Sequence, residues 1–351
     1  MHPAFLGGLP GVPPGPPAAP PTPLEGDHRI RDFRFQSGEV LPELRLHYLT
    51  LGSPHRGPDG RVDNAVLLLH GTTGTGQAYL APAIAQELFG PGQLLDATRY
   101  YLILPDGIGR GGSSKPSDGL HARFPHYGYG DLVAAQHLLV TQGLGVDHLR
   151  LVLGTSMGGM QTWMWGERYP DLMDALMPIA SLPAPISGRN LLFRRILAEA
   201  IRRDPGWQGG EYRQPPTAWL TVAPLFELMR DSPAHLQAEA PTRKAAEALY
   251  DRQLAGAQAY DANDYLYWWE SSWDYDPEPD LGRIRAPLLA VNFADDAINP
   301  AELGILERCV ARVPGGKAVV VPAGPGTVGH QTLGLAAVWK PWLEELLRPL
   351  P

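Results

Sequence analysis

Leu149-Arg150-Leu151-Val152-Leu153-Gly154-Thr155-Ser156-Met157-Gly158-Gly159-Met160 is the stretch that decides the fold. Its apolar run, Leu149 to Leu153, reads as a buried strand, and the Met- and Trp-rich segment after Gly158 reads as a helix. Between them a serine has a glycine two residues to either side. That spacing lets the chain turn sharply from strand to helix, which holds the Ser156 hydroxyl above a sheet. The helix N-terminus beneath it favours developing negative charge. Five residues of this type also fit a structural glycine turn; the strand–turn–helix setting makes the nucleophile the stronger reading.

Outward from this turn the pattern repeats. Leu44 to Leu49 alternates apolar and polar residues and suits a half-exposed antiparallel strand. Ala65–Leu69 and Tyr100–Leu104 are short apolar runs ended by His-Gly and Pro-Asp-Gly, and Pro287–Phe293 and Lys317–Val321 follow late in the chain. Such runs read as buried parallel strands, and helical patterns between them, clearest from Tyr129 to Gln142, imply a mostly parallel sheet with flanking helices. The alternation stops between 183 and 285, a helix-prone stretch rich in Trp, Tyr, Arg and Glu. A long insertion after the sixth strand reads as a helical cap over the site, dividing the core into 29–182 and 286–351. Residues 1–28 read as an extended, Pro-rich leader.

A serine nucleophile needs a base, and the base needs an orienting acid. Two histidines follow Ser156. His330 lies in a glycine-bearing loop after the last strand, where α/β folds place chemistry, whereas His235 falls in a helical stretch of the cap and reads as a surface residue. The acid is expected after Phe293, from Asp295 or Asp296, with Asp296 preferred. Asn299-Pro300-Ala301-Glu302 then reads as a helix start, with Asn299 as cap. An oxyanion hole needs two backbone donors. Met157, following the nucleophile, is one candidate and Thr72 in His70-Gly71-Thr72-Thr73-Gly74 the other, with His70 bracing that loop. Gly107, Gly109 and Gly112 match a dinucleotide fingerprint in spacing, yet Ser113-Ser114-Lys115-Pro116 continues a loop where a helix is required.

The balance of the chain excludes other classes. A formal net charge of −8 offers no basic face for nucleic acid or an anionic membrane, and no apolar run approaches the ~20 residues of a bilayer span. Arg194, Arg195, Arg202 and Arg203 fall on a helical pattern and read as a solvated face. The single cysteine, Cys309, excludes an internal disulfide and reads as core filler. No histidine and carboxylate group has metal-ligand spacing, so no metal and no cofactor is expected. The partner expected is a small-molecule ester or acyl compound, with a homodimer left open. The chain as given shows no export signal, which points to the cytoplasm, with export after removal of a leader left open.

These motifs together resemble the homoserine O-acetyltransferase family of the α/β-hydrolase superfamily, from about Phe33 to the last helix. The resemblance is strongest in Gly154 to Gln161, in Asp131-Leu132-Val133-Ala134-Ala135-Gln136, and in Arg168-Tyr169-Pro170. In the cap it continues in Asp204-Pro205-Gly206-Trp207-Gln208-Gly209-Gly210 and Asp261-Ala262-Asn263-Asp264-Tyr265-Leu266. It implies an α/β-hydrolase fold and, again, Asp296 as the acid. It also implies acetyl transfer from acetyl-CoA to a hydroxyl through an acyl-serine. Two departures stand out. Family transferases carry a cap arginine that holds the homoserine carboxylate, and here Pro224 occupies that place. The oxyanion loop reads His-Gly-Thr-Thr where they have His-Ala-Leu-Thr. The resemblance is therefore to a hydrolase-like branch lacking the homoserine-binding arginine, with Arg189 or Arg213 as candidate replacements.

Three functions are weighed. The first is an acyl-ester hydrolase using Ser156, Asp296 and His330; the second is an acetyl-CoA-dependent O-acyltransferase; the third is a non-catalytic binding protein on the same fold. Trp207, Trp219, Trp268, Trp269 and Trp273 in the cap suggest an apolar vestibule above Ser156.

Overall fold

In the computed structural model, which describes residues 22–350, eight strands form one sheet in the order β1-β2-β4-β3-β5-β6-β7-β8. They are β1 Leu24–Arg34, β2 Val40–Leu51, β3 Ala65–Leu69, β4 Tyr101–Pro105, β5 Leu151–Thr155, β6 Leu176–Ile179, β7 Leu289–Phe293 and β8 Lys317–Val321. From β4 to β8 the neighbours are parallel, and β1 and β2 add an antiparallel edge. This is the expected α/β-hydrolase class. One boundary moves: β1 begins at Leu24 and pairs it with Thr50, so 24–28 is strand and not leader. The pairing partner is distant in sequence, which is why local composition missed it. Residues 1–21 of the leader lie outside the described residues.

The central strands are buried from end to end, as both faces are covered. Alternate residues go to opposite faces. Leu67 and Leu69 join Val152, Trp163 and Trp165 on one side, where helices α2 Tyr129–Leu138 and α3 Met157–Arg168 lie. Val66 and Leu68 join Leu151, Leu153 and Trp339 on the other.

Between β6 and β7 the chain builds short helices, and their apolar residues form a cluster of their own around Phe193, Trp219, Phe226, Trp268 and Trp269. The α-helices here are α4 Gly188–Arg202, α5 Pro224–Arg230, α6 Pro233–Glu239, α7 Arg243–Ala257 and α8 Ala262–Glu270. Arg194 corrects the solvated-face reading of α4. It is buried, its guanidinium lies 5.5 Å from the Trp269 ring centroid, and Nη1 donates to Ser272. Arg195, Arg202 and Arg203 do gather around Glu199 as a polar face.

Candidate active site

Ser156 sits between β5 and α3 with φ 54° and ψ −116°, a left-handed conformation that a non-glycine residue holds only where its surroundings impose it. The flanking glycines are what allow the turn. A Cβ at Gly154 would lie 2.1 Å from the Gly158 carbonyl oxygen, and one at Gly158 would lie 1.9 Å from that of Leu69. Ser156 N–H donates to Ile179 O of β6, and Met160 N–H to Ser156 O, so strand and helix both hold the turn.

The sequence-expected side chains converge here. His330 Nε2 lies 2.8 Å from Ser156 Oγ, and His330 Nδ1 lies 2.7 Å from Asp296 Oδ2. His330 and Asp296 are both buried. The Asp296 carboxylate accepts from the backbone N–H groups of Ile298 and Asn299 and from the Asn299 amide. Burial alone would raise its pKa, but His330 and the Asn299 donors outweigh burial and hold it below the ordinary carboxylate range. Asp295 turns away. Its Oδ2 accepts from Thr327 Oγ1 and Gly329 N–H, which ties down the loop that carries His330. His235 is half-exposed and bonded to Asp231, away from this array.

Asn299 is a residue that sequence reasoning misassigned. Pro300 precedes a short 3-10 turn, Ala301–Leu303, and Asn299 caps nothing. Its amide instead bridges Ala180 O and Asp296 Oδ2, and Nδ2 lies 3.4 Å from His330 Nδ1. The Asn-Pro spacing matched a capping signature by chance, and only the tertiary contact with β6 reveals the other use.

His70 braces the loop after β3. Its Nδ1 bonds Gly71 O at 2.7 Å, and Gly107 N–H donates to its Nε2 at 3.0 Å. Burial lowers its pKa to about 4, so the ring is neutral, with Nδ1–H donating and Nε2 accepting. Thr72 and Thr73 line the cavity over Ser156, and Met157 opens α3 beside it.

That cavity, of about 240 Å³, is lined by Ser156, His330, the Gly71–Gly74 loop and apolar residues such as Tyr79, Ile84 and Leu333. From the cap come Phe226 and Arg230, four residues apart on one face of α5. The tryptophan vestibule is thus corrected. None of the five rings lines the cavity; Trp219, Trp268 and Trp269 are packed into the cap's own cluster and Trp273 is 61% exposed. Large rings supply the most buried apolar area, and the cap uses it to hold itself together. The search for a replacement cation is corrected too. Arg189 donates to Ala297 O and does not line the cavity, nor does Arg213, whereas Arg230 does. Arg230 Nη2 reaches Gln331 Oε1 at 2.8 Å and Glu227 at 3.0 Å.

One metal-capable trio forms among the described residues, contrary to the sequence expectation. Asp231, His235 and Glu239 bring ligand atoms within 4.8 Å, four residues apart from one to the next. His235 already bonds Asp231, and Arg252 pairs with Glu239. No helix among the described residues is long and apolar enough to cross a membrane.

Comparison with known proteins agrees with this geometry. The model of the alpha/beta hydrolase fold family matches residues 64–327. A homoserine O-acetyltransferase of Solidesulfovibrio magneticus is 36% identical over an alignment covering 62% of this chain and 56% of that protein, little more than half its length. Another, of Geotalea uraniireducens, is 30% identical over 77% of this chain and 81% of that one. Among solved structures, the acetyl esterase MekB superposes with a TM-score of 0.80 at 27% identity, covering 93% of this chain and 97% of that one.

Proposed function

This chain belongs to the homoserine O-acetyltransferase-like group of the alpha/beta hydrolase fold family, and we propose that it hydrolyses small acyl esters through a covalent acyl-Ser156. The observation that carries the reading is the unbroken array from Ser156 Oγ through His330 to Asp296, opening on a small, largely apolar cavity. His330 Nε2 takes the Oγ proton as Oγ attacks the ester carbon. The negative oxygen that forms is received by the N–H groups of Met157 and Thr72. Collapse breaks the bond to the alkoxy group, which leaves with the proton from His330. Water, deprotonated by the same nitrogen, then attacks the acyl carbon; the acyl–Oγ bond breaks, Oγ takes the proton back from His330, and the acid is released. Asp296 keeps the imidazole oriented and offsets its charge.

Water as the final acceptor follows from Pro224, where the family's transferases hold a carboxylate with arginine; proline offers no side-chain donor. The match to an acetyl esterase across nearly the full chain points the same way. One observation favours transfer: Arg230 gives the cavity a guanidinium able to meet a charged acceptor. Acyl-enzyme fate separates the two. Incubation with short neutral esters should release free acid with no acceptor present, and acetyl-CoA with homoserine should give little O-acetylhomoserine by mass spectrometry. Efficient, saturable formation of that product would overturn the hydrolase reading and assign Arg230 to the acceptor.

A further inference from the structure

The glycine-rich turn 107–112, which fails as a nucleotide fingerprint, carries a buried cation. Gly109 (φ 80°) and Gly111 (φ 47°) take left-handed conformations, and Asp106 holds the turn through the N–H of Gly112. The Arg110 side chain runs inward and is 2% exposed. Among the described residues no carboxylate forms an ion pair with it. Burial lowers its pKa to about 10, so it remains charged at neutral pH. A buried charge without a counter-ion is costly, and an apolar side chain of similar size would fill this space more cheaply. The cation therefore calls for a reason.

Its contacts supply one. Nε donates to Thr72 O at 2.5 Å, and Nη2 lies 3.9 Å from Met157 Sδ. One guanidinium thus touches both residues whose backbone N–H groups are assigned to the oxyanion. A trans peptide sets its N–H opposite its C=O, so fixing a carbonyl aims the next amide. Gly71 O, whose peptide carries the Thr72 N–H, is held by His70 Nδ1 and Gly74 N–H; Thr72 O, whose peptide carries the Thr73 N–H, is held by Arg110. Both peptides around Thr72 therefore have their carbonyls engaged by protein donors, on a loop that lines the cavity. Against the guanidinium lies Trp268 of α8, 4.2 Å from ring centroid to the guanidinium carbon, and its Nε1 donates to Gly109 O at 2.6 Å.

We propose that Arg110 is a positioning residue for Thr72 and Met157, fixing Thr72 from its carbonyl side while His70 fixes the peptide that carries its N–H, and that the cap, through Trp268, holds Arg110 in that role. The proposal rests on the serine-hydrolase reading. It makes the cap part of the chemical step and not only a cover. The positive charge beneath the loop adds to the stabilisation of the oxyanion by its N–H donors.

The test measures kcat and KM on a short neutral ester, together with the rate at which a fluorophosphonate labels Ser156. Folding is followed by circular dichroism. In Arg110→Met, kcat should fall about 10²-fold, near the cost of one oxyanion donor, with KM within about three-fold and labelling slowed in parallel. Arg110→Lys should recover part of the loss, since an ammonium can still donate to Thr72 O. A folded Arg110→Met whose kcat stays within about three-fold of wild type, or whose loss appears in KM, would overturn the proposal. Should that variant not fold, Trp268→Phe carries the test: the ring stays but the bond to Gly109 is lost. There kcat should fall about five-fold, the order of one hydrogen bond, and an unchanged kcat overturns the proposal. Failure of wild-type protein to label at Ser156 would instead overturn the hydrolase reading itself.

Discussion

The cavity over Ser156 has two walls of different construction. The core wall is set by backbone. Ser156 and the Gly71–Gly74 loop directly follow strand ends and are placed by glycine sterics and main-chain hydrogen bonds, and His330 lies in the loop after β8 with its ring held by Asp296. The cap wall is set by side chains: Phe226 and Arg230 reach the cavity from a seven-residue helix, held by a cluster of rings whose tryptophans do not line it. The difference separates chemistry from selection. Bond-making groups need positions good to fractions of an ångström, which packed strands provide, whereas a selecting wall needs only shape and charge.

That contrast can be broken at several strengths. Replacement of Ser156 by Ala should abolish fluorophosphonate labelling and lower ester turnover by about 10⁴-fold or more, because the members of such an array act as a unit. Labelling at a different serine would remove the core wall's claim to the chemistry. A step smaller, Asp296→Asn should leave the fold intact and lower kcat by about 10³-fold, by turning the imidazole to the wrong tautomer. Asp295→Asn, which only loosens two bonds to the His330 loop, should cost kcat less than about ten-fold. The reverse ranking would show that the loop register is misread.

Stability tests the other wall. Trp269 is buried against Phe193, Phe226 and Tyr265, so Trp269→Ala should destabilise the cap by about 3–5 kcal/mol in denaturant titration. Trp273→Ala should fall within about 0.5 kcal/mol of wild type, because its ring is largely in solvent. Equal costs would revive the idea that the tryptophans act as one group.

The seam between the two regions carries an effect that depends on pH. Glu167 of α3 is buried with Oε1 unpartnered, and burial, reinforced by Asp280, raises its carboxyl to about 8 from a usual 4.5. Between those values the folded chain keeps a proton that the unfolded chain has lost. Stability should therefore fall as pH rises through that window and level off above it. Glu167→Gln should flatten the profile, raising Tm by about 2 °C or more at pH 8.5 and leaving it unchanged below pH 4.5. A variant that tracks wild type across the range would show the carboxyl ionises freely.

Much of the core was legible before any coordinates. The strand runs 65–69 and 317–321 appear at the expected residues, and Ser156, His330 and Asp296 meet as their order along the chain implied. Periodicity and glycine spacing are local signals, and where each strand end faces follows from a parallel sheet. The cap resisted the same treatment. Its residues answer to partners far away in sequence: Trp268 packs on Arg110, Arg194 on Trp269, and Arg230 meets Gln331. In a helix-prone stretch rich in both rings and guanidinium groups, many such pairings satisfy the pattern equally.

The amino-acid sequence by itself determined the central strands and the turn at Ser156, because each shows in residues within a few positions of one another, and it carried the chain order of Ser156, Asp296 and His330. Tertiary structure alone decided that Asn299 braces Asp296 in place of capping a helix, and that Arg230 lines the cavity where no tryptophan does. It also decided that Arg110 lies against the loop that carries Thr72. Such choices are settled by which buried polar groups find partners once distant segments pack. A hydrogen bond across 38 residues, from Arg110 to Thr72, leaves no periodic trace in the chain that makes it.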